Sequence, residues 1–181
     1  MEEARRRAGR SSMEDMMTHL LVAYGTSRGG TRGLAELIGQ DLRDHDHEAT
    51  VRAAADVKNL DGVDAVIVAG ALYAGRWHKD ARKLIKREAD RLSELPVWLV
   101  ATGPLDDTAE TTQIAPVHHV SDAAARIGAR GVQTFGGRLE PDAKGFPASA
   151  MAKTMAGDWR DAEHVARWID EVDGELRSIQ S

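Results

Sequence analysis

Residues 19–31 read HLLVAYGTSRGGT, a short apolar run that passes directly into glycine and hydroxyl residues. Residues 19–24 have the length and composition of a buried β-strand. Beyond the glycines, a helix is predicted over residues 31–43, because apolar side chains recur there at helical spacing. A buried strand that turns through glycines into a helix is typical of an α/β protein with a parallel sheet.

Apolar runs and amphipathic stretches alternate along the rest of the chain. We predict further strands at residues 47–53, 64–69, 96–101 and 131–135, and further helices at residues 79–92, 117–127 and 161–179. Strands that are apolar throughout and separated by helices form parallel sheets covered on both faces. The sequence therefore predicts an α/β fold whose five parallel strands have the order 2-1-3-4-5.

Length, charge and the apolar runs limit the classes of function. The 181 residues suit one domain, which we assign to residues 19–181. Residues 1–18 are interpreted as a disordered leader, because the arginines at positions 5–7 are followed by no apolar segment of a signal peptide. The net charge of -5 disfavours nucleic acid as a partner. No run approaches the roughly 18 apolar residues that span a bilayer, so no transmembrane segment is predicted, while peripheral membrane contact stays open.

The sequence contains no cysteine. This excludes disulfides, iron–sulfur clusters, thiolate zinc sites and cysteine nucleophiles. The histidines at positions 45 and 47 and at 118 and 119 lack further ligands at a recognisable spacing, so we interpret them as surface residues and expect no metal site. A chain without disulfides fits a reducing compartment, and we expect a cytoplasmic location.

The loop after the first strand has the composition of a phosphate site. Thr26, Ser27 and Thr31 each carry a hydroxyl donor, and Arg28 adds a charged one. The glycines let a phosphate approach the backbone, and the helix start adds about half a positive charge. Ordinary capping is the alternative, because serine, threonine and glycine are also common before helices.

Three other phosphate-binding classes are disfavoured. A Walker A loop requires Gly-Lys-Ser/Thr, and a dinucleotide fold requires G-x-G-x-x-G; neither occurs at this loop. A phosphoacceptor receiver domain needs acidic residues at the end of the first strand, where Tyr24 and Gly25 stand. In the predicted strand order the ligand crevice lies between strands 1 and 3, so the loops after strands 1, 3 and 4 are the candidate sites.

The loops after the third and fourth strands suit a flat ring. Residues 70–77 are small and glycine-bounded; Tyr73 either stacks on a ring or packs internally, and Trp77 is assigned to packing. Residues 102–107 offer backbone amides to the polar edge of a ring, with a plain Gly-Pro turn as the alternative. His78 lies near the proposed ring site, where a proton relay is one interpretation.

These residues carry a resemblance to the flavodoxin family. Residues 26–31 resemble its phosphate motif T-x-T-G-x-T, with Arg28 in place of the middle threonine. Residues 64–77, with their Gly-Ala-Leu-Tyr-Ala-Gly core, and residues 157–161 are similar to the branch that includes menaquinone-dependent protoporphyrinogen dehydrogenase. The long basic and aromatic insertion of those enzymes is represented here only by the less basic residues 136–157.

The resemblance implies a flavodoxin-like three-layer sandwich that binds FMN and acts as an FMN-dependent oxidoreductase. Its implied partner is a redox protein or a small-molecule electron donor or acceptor. A carrier flavodoxin with protein partners only and a flavin-free interaction domain stay open as alternatives. By position, the resemblance assigns the phosphate to Thr26, Ser27, Arg28, Gly29, Gly30 and Thr31. It assigns the flanks of the ring to Ala71, Leu72, Tyr73, Ala74, Gly75, Thr102, Gly103, Pro104, Leu105 and Asp106.

Overall fold

The computed structural model describes residues 17–27, 29–103, 116–136, 138–139, 157–158 and 161–181. Its strands are β1 His19–Gly25, β2 Glu48–Ala53, β3 Ala65–Tyr73, β4 Arg76–Trp77, β5 Val97–Thr102, β6 Gly131–Phe135, β7 Arg138–Leu139 and β8 Gly157–Asp158. Its helices are α1 Gly30–Asp44, α2 Lys79–Arg87, α3 Ala89–Ser93, α4 His118–Ile127 and α5 Ala162–Gln180, with a short 3-10 helix at Ala54–Asp56.

Five parallel strands form the central sheet in the order β2-β1-β3-β5-β6. Because β4 is a short antiparallel addition to β3, this is the predicted order 2-1-3-4-5 counted over the parallel strands. The register pairs Gly25 of β1 with Gly70 of β3, and Ala71 of β3 with Thr102 of β5. The carboxyl ends of these three central strands therefore meet at one edge of the sheet.

Helices cover both faces of the sheet. Along β3, Val66 and Val68 join the apolar cluster beneath α2, α3 and α4, while Ala65, Ile67 and Ala69 join the cluster beneath α1 and α5. Successive side chains of a strand point to opposite faces, so a strand buried on both sides must be apolar at every position. The predicted three-layer α/β sandwich is confirmed.

Side-chain and glycine caps explain two of the helix ends. Asp161 precedes α5, and its carboxylate accepts a hydrogen bond of 2.9 Å from the backbone N–H of Glu163. Gly128 follows α4 with a φ of 64°, the left-handed conformation that commonly ends helices. These local signals place α4 and α5 within a residue of their predicted bounds.

Two predicted elements differ from the structure. The single helix predicted over residues 79–92 is divided at Glu88, which has φ −102° and ψ 18° and separates α2 from α3. Leu84, Ile85 and Leu92 remain buried on either side of this residue, so the break leaves the apolar spacing intact. For this reason the periodicity of the sequence does not indicate the break. The third strand, predicted over residues 64–69, continues to Tyr73.

Candidate ligand site at the carboxyl edge of the sheet

The loop between β1 and α1 contains a hydrogen bond from Gly29 back to Thr26. Thr26 Oγ1 accepts a hydrogen bond of 3.0 Å from the backbone N–H of Gly29. Gly29 directly precedes α1 with a φ of 82°, a conformation that favours glycine because it has no Cβ. This turn directs the chain from the sheet edge into the helix.

Among the described residues, no side chain caps the start of α1. Gly29 occupies the cap position, α1 has no side-chain cap hydrogen bond, and its first turn contains no acidic residue. The first amides of a helix have no partner within the helix and carry partial positive charge. The cap position is held by a glycine, which has no side chain to offer these amides.

Thr31 and Thr102 lie against each other inside the protein. Their Oγ1 atoms are 3.0 Å apart, and the two residues are only 1% and 6% exposed. The contact joins the first turn of α1 to the end of β5, across 71 residues of sequence. The structure thus brings together one residue assigned to the phosphate and one assigned to the ring.

Ser27 contacts a histidine that follows β4. Ser27 Oγ lies 3.0 Å from His78 Nε2, and His78 Nδ1 accepts a hydrogen bond of 3.3 Å from the backbone N–H of Asp80. His78 is 6% exposed, and burial lowers the pKa of its imidazole, with Lys79 and Arg82 acting in the same direction and Asp80 opposing them. Sequence reasoning placed His78 near the ring but missed its bond to the first loop.

Residues 70–77 form a β-hairpin, where a loop was predicted. β3 and β4 pair antiparallel through Leu72 with Trp77 and Tyr73 with Arg76. Ala74 and Gly75 connect them with φ values of 48° and 72°, the pair of positive angles typical of a two-residue hairpin turn. The prediction missed the hairpin because Ala-Gly is a weaker turn signal than Asn-Gly or Asp-Gly.

The hairpin packs Trp77 into the core. The Trp77 side chain is buried, and its Nε1–H donates a hydrogen bond of 3.1 Å to the carbonyl of Val100. A Cβ added to Gly70 would lie 2.3 Å from Trp77 Nε1, so a glycine is required beneath the indole. The assignment of Trp77 to packing is confirmed.

The assigned ring residues that the structure describes lie around the same edge. Ala71 is buried, Leu72 and Tyr73 are half-buried, and Ala74 and Gly75 are exposed in the hairpin turn. A Cβ on Gly103 would lie 2.9 Å from Leu72 Cδ1, which shows how closely the β3 and β5 ends approach. The Tyr73 and His78 rings meet edge-on with centroids 6.5 Å apart. Of the remaining assigned residues, Arg28, Pro104, Leu105 and Asp106 lie outside the described residues.

The interpretation of the histidine pairs as surface residues is wrong for His47. His47 is 6% exposed, and its Nε2 lies 2.8 Å from Asp173 Oδ1 of α5. His45 is half-buried and pairs with Asp170 of the same helix, whereas His118 is exposed. The described ranges contain no group of three or more His, Cys, Asp and Glu side chains arranged to hold a metal ion.

None of the helices in the described ranges has the length and apolar character that crossing a membrane requires.

Comparison with known proteins relates the chain to one family. The flavodoxin domain family matches residues 21–158. A cysteine-substituted flavodoxin from Pseudomonas aeruginosa is similar in structure at 15% identity, covering 88% of this chain and 99% of that one with a TM-score of 0.56. A flavodoxin from Streptococcus pneumonia TIGR4 is similar at 16% identity, covering 87% and 99% with a TM-score of 0.55.

A third solved structure, a Fusobacterium nucleatum flavodoxin bound to flavin mononucleotide, is 16% identical and covers 88% of this chain and 99% of that one, with a TM-score of 0.51. None of the curated proteins compared with the chain matches it significantly. At these identities the solved structures show a shared fold, and the family match spans well over half of the sequence. The chain belongs to the flavodoxin domain family.

Proposed function

We propose that this chain binds one FMN at the edge where β1, β3 and β5 end, and that it takes part in electron transfer. The observation that carries the proposal is the start of α1, which no side chain of the described residues caps, so that its first amides and the helix dipole face a loop of glycine and hydroxyl residues. The family match and the Fusobacterium nucleatum flavodoxin bound to flavin mononucleotide support the same ligand.

The donors at the first loop fit a phosphate. The exposed Ser27 supplies a hydroxyl, and the first turn of α1 supplies backbone N–H groups. The Thr31 hydroxyl is buried against Thr102, so we assign to Thr31 its backbone N–H and a role in joining α1 to β5. Thr26 shapes the loop through its bond to Gly29.

The half-buried residues of the hairpin fit one side of a flat apolar ring. Leu72 and Tyr73 lie at the end of β3 next to Gly103, within the edge that also holds the first loop. We propose that they contact the ring and exclude water from it. When bound, FMN supplies one- and two-electron redox chemistry, and the chain supplies its binding, orientation and electrostatic environment.

The finer proposal is an oxidoreductase related to protoporphyrinogen dehydrogenase, acting in the cytoplasm with a redox protein or a small molecule. Its support is the Gly-Ala-Leu-Tyr-Ala-Gly sequence of residues 70–75, which forms the end of β3 and the hairpin turn. An electron carrier that reacts with protein partners only is the alternative. Flavin turnover with a quinone or porphyrinogen in the absence of a protein partner supports the enzyme, whereas turnover that requires a redox protein supports the carrier.

The test of FMN binding is an absorption spectrum of the purified protein, with the released cofactor identified by mass. We expect a visible flavin band and a cofactor mass equal to that of FMN. Protein purified without flavin is titrated with FMN, and quenching of flavin fluorescence measures the dissociation constant. A colourless protein that does not bind added FMN contradicts the proposal and favours a flavin-free interaction domain.

A further inference from the structure

We propose that His78 is a positioning residue that holds the Ser27 hydroxyl as a hydrogen-bond donor toward the phosphate of the bound mononucleotide. The inference rests on the proposed function, since it assigns a role in binding the same ligand. It concerns a contact across 51 residues of sequence, between the loop after β1 and the residue that precedes α2.

The hydrogen bonds of His78 determine which ring nitrogen carries the proton. The backbone N–H of Asp80 can only donate, so His78 Nδ1, 3.3 Å away, is an acceptor without a proton. A neutral imidazole then carries its proton on Nε2. That nitrogen lies 3.0 Å from Ser27 Oγ and donates to it.

The direction of this bond determines what Ser27 can do. A hydroxyl has one proton to donate and two lone pairs that accept. Because Ser27 Oγ accepts from His78 Nε2, its own proton points away from the imidazole. Ser27 is exposed and belongs to the loop that faces the start of α1, so a phosphate there is an acceptor for this proton.

The surroundings of His78 favour the neutral ring. Burial lowers the pKa of the imidazole, and the nearby cations of Lys79 and Arg82 lower it further. The Asp80 carboxylate, 3.8 Å from Nδ1, opposes this effect. The Tyr73 and imidazole rings meet at a steep angle of 61°. The neutral tautomer with its proton on Nε2 keeps the hydrogen bonds to Ser27 and from the Asp80 N–H. A proton on Nδ1 would instead point at the Asp80 N–H.

Gly25 provides the space that this arrangement needs. It ends β1, directly before the loop, and a Cβ at this position would lie 2.7 Å from His78 Nδ1 and 3.1 Å from the backbone nitrogen of Ala81. The ring therefore lies against the backbone of β1 while its Nε2 reaches Ser27. A larger residue at position 25 would displace either the imidazole or the start of α2.

A double-mutant cycle on FMN affinity tests the inference. His78→Asn retains a side-chain acceptor for the Asp80 N–H, since asparagine is a good N-cap, but it is too short to donate to Ser27. We expect Ser27→Ala to raise the dissociation constant of FMN by about 10-fold, the effect of one hydrogen bond to a charged group. We expect His78→Asn to raise it by a smaller factor, because the Ser27 hydroxyl remains but is no longer oriented. The double variant is expected to bind FMN as weakly as Ser27→Ala alone.

Other outcomes of the cycle overturn the inference. If His78→Asn binds FMN with wild-type affinity, the imidazole does not orient the Ser27 hydroxyl. If the two losses of FMN affinity multiply in the double variant, His78 acts on the structure of the site and not through Ser27. Urea unfolding of each variant gives its free energy of unfolding, so a loss of folded protein is separated from a loss of affinity.

A second measurement uses the wild-type chain without ligand. Nitrogen-15 NMR of the histidine rings at neutral pH is expected to show His78 protonated on Nε2 and unprotonated on Nδ1. A proton on Nδ1 overturns the inference whether or not FMN binds. If the wild-type protein fails to bind FMN, the proposed function fails, and the tautomer separately reports whether the Ser27–His78 geometry is correct.

Discussion

At the scale of single residues, three glycines allow the strand ends to approach their neighbours closely. Gly25 lies against His78, Gly70 against Trp77 and Gly103 against Leu72, with an added Cβ at 2.7, 2.3 and 2.9 Å from the nearest side-chain atom. Such distances leave no room for a methyl group unless the neighbour moves. The glycines at this edge therefore allow neighbouring side chains of the same chain to pack closely around the proposed site.

Gly70→Ala is expected to destabilise the fold. The new methyl group would collide with the Trp77 indole, which is buried and bonded to Val100, at a cost of about 1–3 kcal/mol in the free energy of unfolding. Urea denaturation measures this change. Gly174→Ala is the matched control, because Gly174 lies exposed within α5 with open space around its Cα, and alanine there is expected to stabilise by about 0.5–1 kcal/mol. Equal stability of wild type and Gly70→Ala would contradict the role of this glycine.

Arg28→Ala is expected to weaken FMN binding by about 1–3 kcal/mol, if the guanidinium pairs with the phosphate. Arg28 lies outside the described residues, so this expectation comes from the motif of residues 26–31. Fluorescence titration gives the affinity. Arg91→Ala serves as control, since Arg91 lies in α3 and pairs with Glu94 at the surface. Unchanged affinity in Arg28→Ala removes this residue from the proposed site.

At the scale of elements, side-chain contacts of Asp173 connect α5 to the turn between α1 and β2. His47 at this turn contacts Asp173 of α5 at 2.8 Å, and Arg177 donates to the same carboxylate at 2.8 Å. Burial alone would raise the pKa of Asp173, but the hydrogen bonds from Arg177 and His47 outweigh it and lower that pKa below its ordinary value. The carboxylate therefore stabilises the packing of α5 only while it is ionised.

Asp173→Asn is expected to lower the free energy of unfolding by about 1–3 kcal/mol at neutral pH, because a charged partner of the buried His47 is lost. A lowered pKa in the folded state contributes stability above the unfolded pKa of about 4, and this stability disappears as the pH falls through the folded value. The difference in the free energy of unfolding between wild type and Asp173→Asn should therefore become smaller as the pH falls. Denaturation at a series of pH values measures it.

Asp122→Asn is the control for this experiment. Asp122 forms an exposed pair with His118, and such pairs contribute about 0–1 kcal/mol. A variant at position 173 that is no less stable than the one at position 122 would show that the contact of His47 with α5 is energetically neutral.

At the scale of the whole molecule, the strand order is what assembles the proposed site. Residues of the first loop, the hairpin and the end of β5 are far apart in sequence, yet β1, β3 and β5 are neighbours in the sheet. A ligand that contacts all three segments binds only the folded chain. Its binding energy therefore adds to the stability of the entire domain.

Saturation with FMN is expected to raise the melting temperature. At a free concentration of 100 times the dissociation constant, the gain in stability is about 2.7 kcal/mol. Thermal denaturation followed by circular dichroism measures it, and riboflavin, which lacks the phosphate, is the comparison ligand at the same molar concentration. A shift that is equally large with riboflavin would contradict the assignment of the first loop to the phosphate.

Most of the architecture could be predicted because it depends on local pattern. The continuously apolar β3 and the periodic α1 and α5 indicate a sheet buried on both faces, and the fold and family are confirmed. The break at Glu88 and the hairpin after Gly70 escaped prediction, since neither alters the apolar spacing nor carries a strong turn signal. The assigned phosphate and ring residues stay predictions.

The sequence by itself determined the alternation of strands and helices and the hydroxyl- and glycine-rich loop that points to a phosphate, and it permitted the strand order that the structure has. Only the tertiary structure decided which side chains meet: Ser27 with His78, Thr31 with Thr102, and His47 with Asp173. The physical reason is that periodicity reports which face of an element is buried, whereas a hydrogen bond between distant residues depends on strand register and on how two elements pack.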